Sequence, residues 1–204
     1  ARGEGYDTDT PLYHGRGEES ESELENPYEF QSSEWGYSGP GIYFTQSREI
    51  ANNDYADGGR GTVFALYAKM KKPFGDGILS KTDAEIINKV MRNEFFAVND
   101  VAKEGMTHKR LFEKLGSSVE ENLDQVIKPA GFDGVFVKNG TLGDQMEGVV
   151  YSPSQIKSAD PITRDSDGNI IPISKRFNEQ SKDIRYSKNV TPEGARHAEL
   201  EAKH

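Results

Sequence analysis

The chain has 204 residues, a formal charge of −9, no cysteine, and 34% hydrophobic residues. That length suits one ordinary domain with appendages, and the modest apolar fraction leaves part of the chain outside any core. Zero cysteine excludes disulfides, thiolate catalysis and Cys-ligated zinc, and no apolar run reaches the ~18 residues of a membrane helix.

The four histidines, at 14, 108, 197 and 204, are too scattered to suggest a zinc site. No basic segment leads into a short apolar stretch, so no secretory signal is expected. Residues 1–40 hold two Arg against ten Asp and Glu, so −8 of the charge lies there, mostly in EESESELENPYE at 18–29. The cluster reads as a solvated loop, and the acidic balance disfavours nonspecific binding to phosphate backbones.

Residues 1–10 read as an arm. PLYH at 11–14 is a short strand ending at Gly15, followed by a loop-rich stretch over 16–40. SGPG at 38–41 signals a turn, and GIYFT at 41–45 reads as a buried strand. A helix is expected over 47–56, capped by Ser47 and stopped at Gly58-Gly59, with Ile50, Ala51 and Tyr55 on one face. TVFALYAKM at 62–70 suits a strand buried on both faces.

Residues 80–128 switch to helical spacing, with Ile86, Ile87, Val90 and Met91, then Leu111, Phe112 and Leu115, then Val119, Leu123, Val126 and Ile127. This helical insertion should end at Pro129 and Gly131. Strands return at 132–137 (FDGVFV) and 148–151 (GVVY), and SPSQIKSA at 152–159 reads as a capped helical turn. Asp167-Gly168 marks a small hairpin. DSDGN echoes a calcium loop, but Arg176 stands where the bidentate Glu belongs, so calcium is not expected. From about Ser181 onward the composition predicts a tail with little fixed structure.

Three patterns carry polar residues on or beside short apolar strands: YHG at 13–15, GIYFT at 41–45 and QMEGVVY at 145–151. Singly, each is ordinary: a structural His, a core Tyr, a rim Glu. In this order they resemble the His-Tyr-Glu class of ADP-ribosyltransferases, the diphtheria-toxin and poly(ADP-ribose)-polymerase-like enzymes. The wording GYDTDTPLYHG, GFDGVFV, VVYSPSQIKSA and DIRYS is similar to the ADP-ribosyltransferase domains of phage polyvalent proteins and bacterial toxin-like proteins.

The resemblance implies an α+β fold, a pair of small antiparallel sheets around an NAD cleft. It sets the catalytic domain at 11–159, with the helical insertion at 80–128, a peripheral extension at 160–187 and a flexible tail at 188–204. It also implies NAD as co-substrate, no metal, and transfer of ADP-ribose to a macromolecular acceptor with release of nicotinamide. Glu147 matches the catalytic Glu, His14 the His that hydrogen-bonds the adenosine ribose, and Tyr43 the Tyr packed on nicotinamide.

Gly15 falls where the family's backbone meets the carboxamide, and Tyr55 is the candidate for the opposite ring face. Ala51 stands where the family often has Ser, which removes one carboxamide hydrogen bond. Gln145, two residues before Glu147, is the candidate acceptor-recognition residue and leans away from arginine acceptors. Lys is missing from the loop before Glu147, which favours single transfer over polymer growth. Hydrolysis of NAD and a non-catalytic NAD- or ADP-ribose-binding module stay open as alternatives. So does a nucleic-acid acceptor, served by Lys69, Lys71, Lys72 and His108-Lys109-Arg110. Further domains of a longer polypeptide and a cytoplasmic site of action, phage-delivered or secreted, complete the expectation.

Overall fold

The computed structural model describes residues 6–18, 26–34, 36–116, 119, 122–138, 148–176, 178 and 181–186. The chain divides into two compact units, one of Ala1–Gln31, Phe44–Lys69 and Ser152–His204, the other of Ser32–Tyr43 and Met70–Tyr151.

The first unit is built on an antiparallel sheet in the order β1-β3-β7, where β1 is Leu12–Arg16, β3 Thr62–Ala68 and β7 Ile156–Ser158. Register pairs Leu12 with Leu66, His14 with Phe64 and Arg16 with Thr62, so these side chains share one face. Phe64, Leu66 and Ala68 are buried on that face, while Val63, Ala65 and Tyr67 are half-buried. The expected burial on both faces of β3 is therefore replaced by alternation; among the described residues a short helix packs on β1 and β3. That helix, α1 (Arg48–Asp54), starts where Ser47 accepts a hydrogen bond from the Ile50 N–H at 3.2 Å. Ala51 is its buried residue; Ile50 and Tyr55 are exposed, so the expected apolar face narrows to one position.

Two departures concern the chain ends. Tyr6 is buried, and its hydroxyl donates to the Ser154 carbonyl at 3.2 Å, so residue 6 is held to this unit. Beyond Ser181, where little structure was expected, Asp183, Ile184 and Arg185 are buried. Residues 152–159 also give more than a helical turn. After a Ser152–Gln155 capping box, Ile156–Ser158 pairs with β3 as an edge strand. The hairpin at Asp167-Gly168 forms, with Arg164 opposite Ile170.

The second unit carries a four-stranded sheet in the order β2-β6-β5-β4, with β2 Ile42–Phe44 (its first two residues in this unit), β4 Pro73–Gly75, β5 Gly134–Phe136 and β6 Gly148–Val150. β5 and β6 are antiparallel, but β4 and β5 run parallel. A parallel pair needs a long crossover, and the helical insertion supplies it. Its helices are α2 (Lys81–Glu94), α3 (His108–Leu115) and α4 (Leu123–Ile127). A reciprocal Ser80–Asp83 capping box starts α2, and Thr107 caps α3. Ile87 and Met91, Leu111, Phe112 and Leu115, and Leu123, Val126 and Ile127 join Phe74, Val135 and Val149 in one core. The fold is thus α+β, with two small sheets and a helical insertion, as the resemblance implied. The expectation that both sheets are antiparallel is corrected by the parallel β4–β5 pair, which the long crossover makes possible. None of the helices among the described residues is long and apolar enough to cross a membrane.

Candidate active site

In the first unit the site begins with β1, whose two faces do different work. His14 and Arg16 point to the face of Phe64. There the buried Phe30 ring lies 4.9 Å from the His14 ring, tilted by 59°, and 5.2 Å from the Phe64 ring, edge-on. The Arg16 guanidinium lies over Phe30 at 4.6 Å and donates to the carbonyls of Pro27 at 2.6 Å and Glu29 at 3.1 Å.

Gly15 faces the other way, toward α1. A Cβ there would collide with the Ala51 carbonyl oxygen and stand 2.7 Å from the Tyr55 Cβ. The glycine expected to admit the carboxamide is therefore also required by packing inside its own unit. Ala51 is 0% exposed, so its methyl group is packed away. Tyr55, at the end of α1, is 39% exposed. The structure thus brings Gly15, Ala51 and Tyr55 together at one strand–helix contact, while His14 lies on the opposite face of β1.

In the second unit Tyr43 sits mid-strand on β2. Its hydroxyl donates to the Gly39 carbonyl and accepts from the Ser38 N–H at 3.1 Å. The turn expected at 38–41 is thus tied to the strand that follows it. Burial pushes the Tyr43 hydroxyl up to about 12, opposed by the Ser38 N–H and helped by the charge of Asp124. Tyr43 is therefore a neutral phenol whose polar end is committed to the backbone. Its ring is half-buried and packs against the core of this unit.

Gly39 adopts φ +90°, and a Cβ there would run into the Asp124 carboxylate. Asp124 is 6% exposed; one oxygen pairs with Lys128 Nζ at 2.8 Å, and the other, Oδ1, has no hydrogen-bond partner among the described residues. Lys128 Nζ also lies 4.1 Å over the Tyr151 ring. Burial, then Asp124 and Tyr43, raise the Tyr151 hydroxyl well above its ordinary range. Sequence reasoning missed this Asp124–Lys128–Tyr151 support, although the i,i+4 spacing of Asp124 and Lys128 was its signal. Phe30 and Arg16 were missed because no local spacing links them to His14.

Glu147 and Gln145 lie outside the described residues. The basic residues considered for a nucleic-acid acceptor are partly spoken for. Lys72 pairs with Asp83 at 2.5 Å and donates to the Ala130 carbonyl at 2.7 Å. His108 is buried and held below its ordinary range, first by burial. No group of three or more His, Asp or Glu among the described residues stands in metal-binding reach.

No curated protein and no solved structure matches the chain. A family model described as ADP-Ribosyltransferase in polyvalent proteins matches residues 8–165, a span that holds His14, Tyr43 and Glu147. The chain belongs to this ADP-ribosyltransferase family of polyvalent proteins.

Proposed function

We propose that the protein is a mono-ADP-ribosyltransferase that uses NAD and modifies a macromolecular acceptor, protein in preference to nucleic acid. The family match across 8–165 carries this reading. In the reaction the C–N bond between nicotinamide and ribose C1′ breaks, and its electron pair leaves with neutral nicotinamide. An acceptor lone pair then forms the new bond to C1′ and the acceptor gives up a proton. Glu147 is assigned to stabilise the oxocarbenium-like state, hydrogen-bond the ribose 2′-hydroxyl and receive that proton. His14 is assigned to the adenosine ribose, Tyr43 and Tyr55 to the nicotinamide ring, and Gln145 to the acceptor.

Two observations support a protein acceptor: the charge of −9, and the internal commitments of Lys72 and His108. Its action is placed in a cytoplasm, which supplies both NAD and acceptors. The test is transfer of labelled ADP-ribose from NAD to a lysate, followed by protease or nuclease digestion. Label released by protease supports the reading, and label released by nuclease makes the acceptor a nucleic acid. Nicotinamide release with no macromolecular label makes the enzyme an NAD glycohydrolase.

A further inference from the structure

The family match stops at residue 165, yet a buried segment follows it. Residues 181–186 lie between β7 and the stretch 26–30. The Ser158 N–H donates to the Ile184 carbonyl at 3.1 Å, tying the segment to β7. On its other side Ile184 donates to the Tyr28 carbonyl at 3.0 Å, and Phe30 donates to the Lys182 carbonyl at 3.1 Å, with Glu29 and Asp183 forming an antiparallel bridge.

Side chains lock this arrangement. The Asp183 carboxylate accepts from Arg185 Nη2 at 2.7 Å, from Arg185 Nε at 3.0 Å and from Asn26 Nδ2 at 2.8 Å. The Arg185 guanidinium donates to the Arg164 carbonyl at 2.8 Å and lies 4.1 Å over the Tyr28 ring. Both charges are nearly fully buried, and buried charges persist only when their hydrogen bonds are met. Removing either partner would leave the other charge buried and uncompensated, so the pair holds one geometry.

What it specifies is the path of 26–30. That stretch is gripped by Arg16 of β1 on one side and by the 181–186 segment on the other, and it presents Phe30 to His14. We propose that residues 181–186 act as a strap that positions His14: Asp183 and Arg185 fix the 26–30 stretch, and Phe30 fixes the imidazole. The proposal rests on the assignment of His14 to NAD. Asp183 and Arg185 are positioning residues that touch no substrate, so their loss should weaken NAD binding more than turnover.

The experiment compares wild type with Arg185→Ala, Arg185→Lys and Phe30→Leu in the full chain. One readout is the His14 imidazole resonance by ¹H–¹³C NMR, assigned among the four histidines by a His14→Gln control. The other is KM for NAD against kcat in nicotinamide release. The Phe30 ring current should set the wild-type His14 shift, and both Arg185→Ala and Phe30→Leu should move it toward the random-coil position. Arg185→Ala should raise KM about tenfold with kcat within about twofold, the pattern of lost binding rather than lost chemistry. Arg185→Lys keeps the charge on Asp183 and should recover part of both.

If Arg185→Ala does not fold, Arg185→Lys and Phe30→Leu carry the comparison. An unmoved His14 resonance in folded variants overturns the strap, and so does a loss confined to kcat. If wild type consumes no NAD, the functional reading fails, while the NMR comparison still decides whether the strap sets His14.

Discussion

Gly15 separates two demands that one sequence motif had merged. The HG pair was read for its ligand, yet the Ala51 carbonyl and Tyr55 Cβ already forbid a side chain there. Because the obstacle is backbone, Gly15→Ala forces β1 and α1 apart. Overpacking of this kind costs about 1–3 kcal/mol, and more where the neighbour is rigid. A folded variant with lower denaturant midpoint and weaker NAD turnover is expected; unchanged stability would contradict the contact. Tyr43 makes a second residue-level case. Tyr43→Phe keeps the ring but leaves the Gly39 carbonyl and Ser38 N–H without their partner, a loss of about 1–3 kcal/mol in stability. Its KM for NAD should stay near wild type, whereas Tyr43→Ala should raise it sharply. Equal effects of both variants on KM would place the hydroxyl, not the ring, on the ligand.

The helical insertion was legible in the sequence because its apolar residues recur at helical spacing, although the Ser80 and Thr107 caps that start α2 and α3 emerge only in the structure. Its role was not, since spacing cannot reveal that the helices join two parallel strands. The 156–158 strand stayed hidden for a different reason. Three residues are too few to show alternation, and the strong Ser152–Gln155 capping box in front of them spoke for helix.

His108, at the start of α3, gives this element a pH dependence. Its Nδ1 accepts from the Gly75 N–H at 3.0 Å, its ring stacks 4.6 Å from Phe74, and its Nε2 has no hydrogen-bond partner among the described residues. Burial lowers its affinity for a proton and Lys72 adds to that, while Asp83, Asp76 and the Ile78 backbone oppose it. A histidine held below its ordinary 6.5 binds a proton less readily folded than unfolded. The stability linked to it is complete above about pH 6.5 and falls as pH drops toward the depressed value. His108→Gln should flatten the decline in melting temperature between about pH 6.5 and 5, and an unchanged slope would contradict the assignment. Asp183 works in a lower window. Burial alone would raise it, but hydrogen bonds from Arg185 and Asn26 outweigh that and hold it below its ordinary 3.8. Its contribution is complete above that value and is lost as pH falls through the lower, folded one.

At the scale of the molecule, the sequence pointed to the family through motifs spread from residue 5 to 187, and the family match covers 8–165. The sequence did not show how much of the remainder is structural. The composition from about Ser181 onward predicts little fixed structure, yet Asp183, Ile184 and Arg185 are buried. Hydropathy cannot register a segment that packs through Arg, Asp and backbone hydrogen bonds. Most of the acidic stretch at 18–29 lies outside the described residues, but from Asn26 onward it is scaffold.

We propose that this chain breaks the nicotinamide–ribose bond of NAD with Glu147 as the essential carboxylate. The most direct measurement is nicotinamide release from NAD by wild type and by Glu147→Gln, each shown to be folded. The account predicts measurable release by wild type and a fall of at least about a hundredfold in the variant, as expected when a transition-state charge contact is removed. Release within a few-fold of wild type would contradict it.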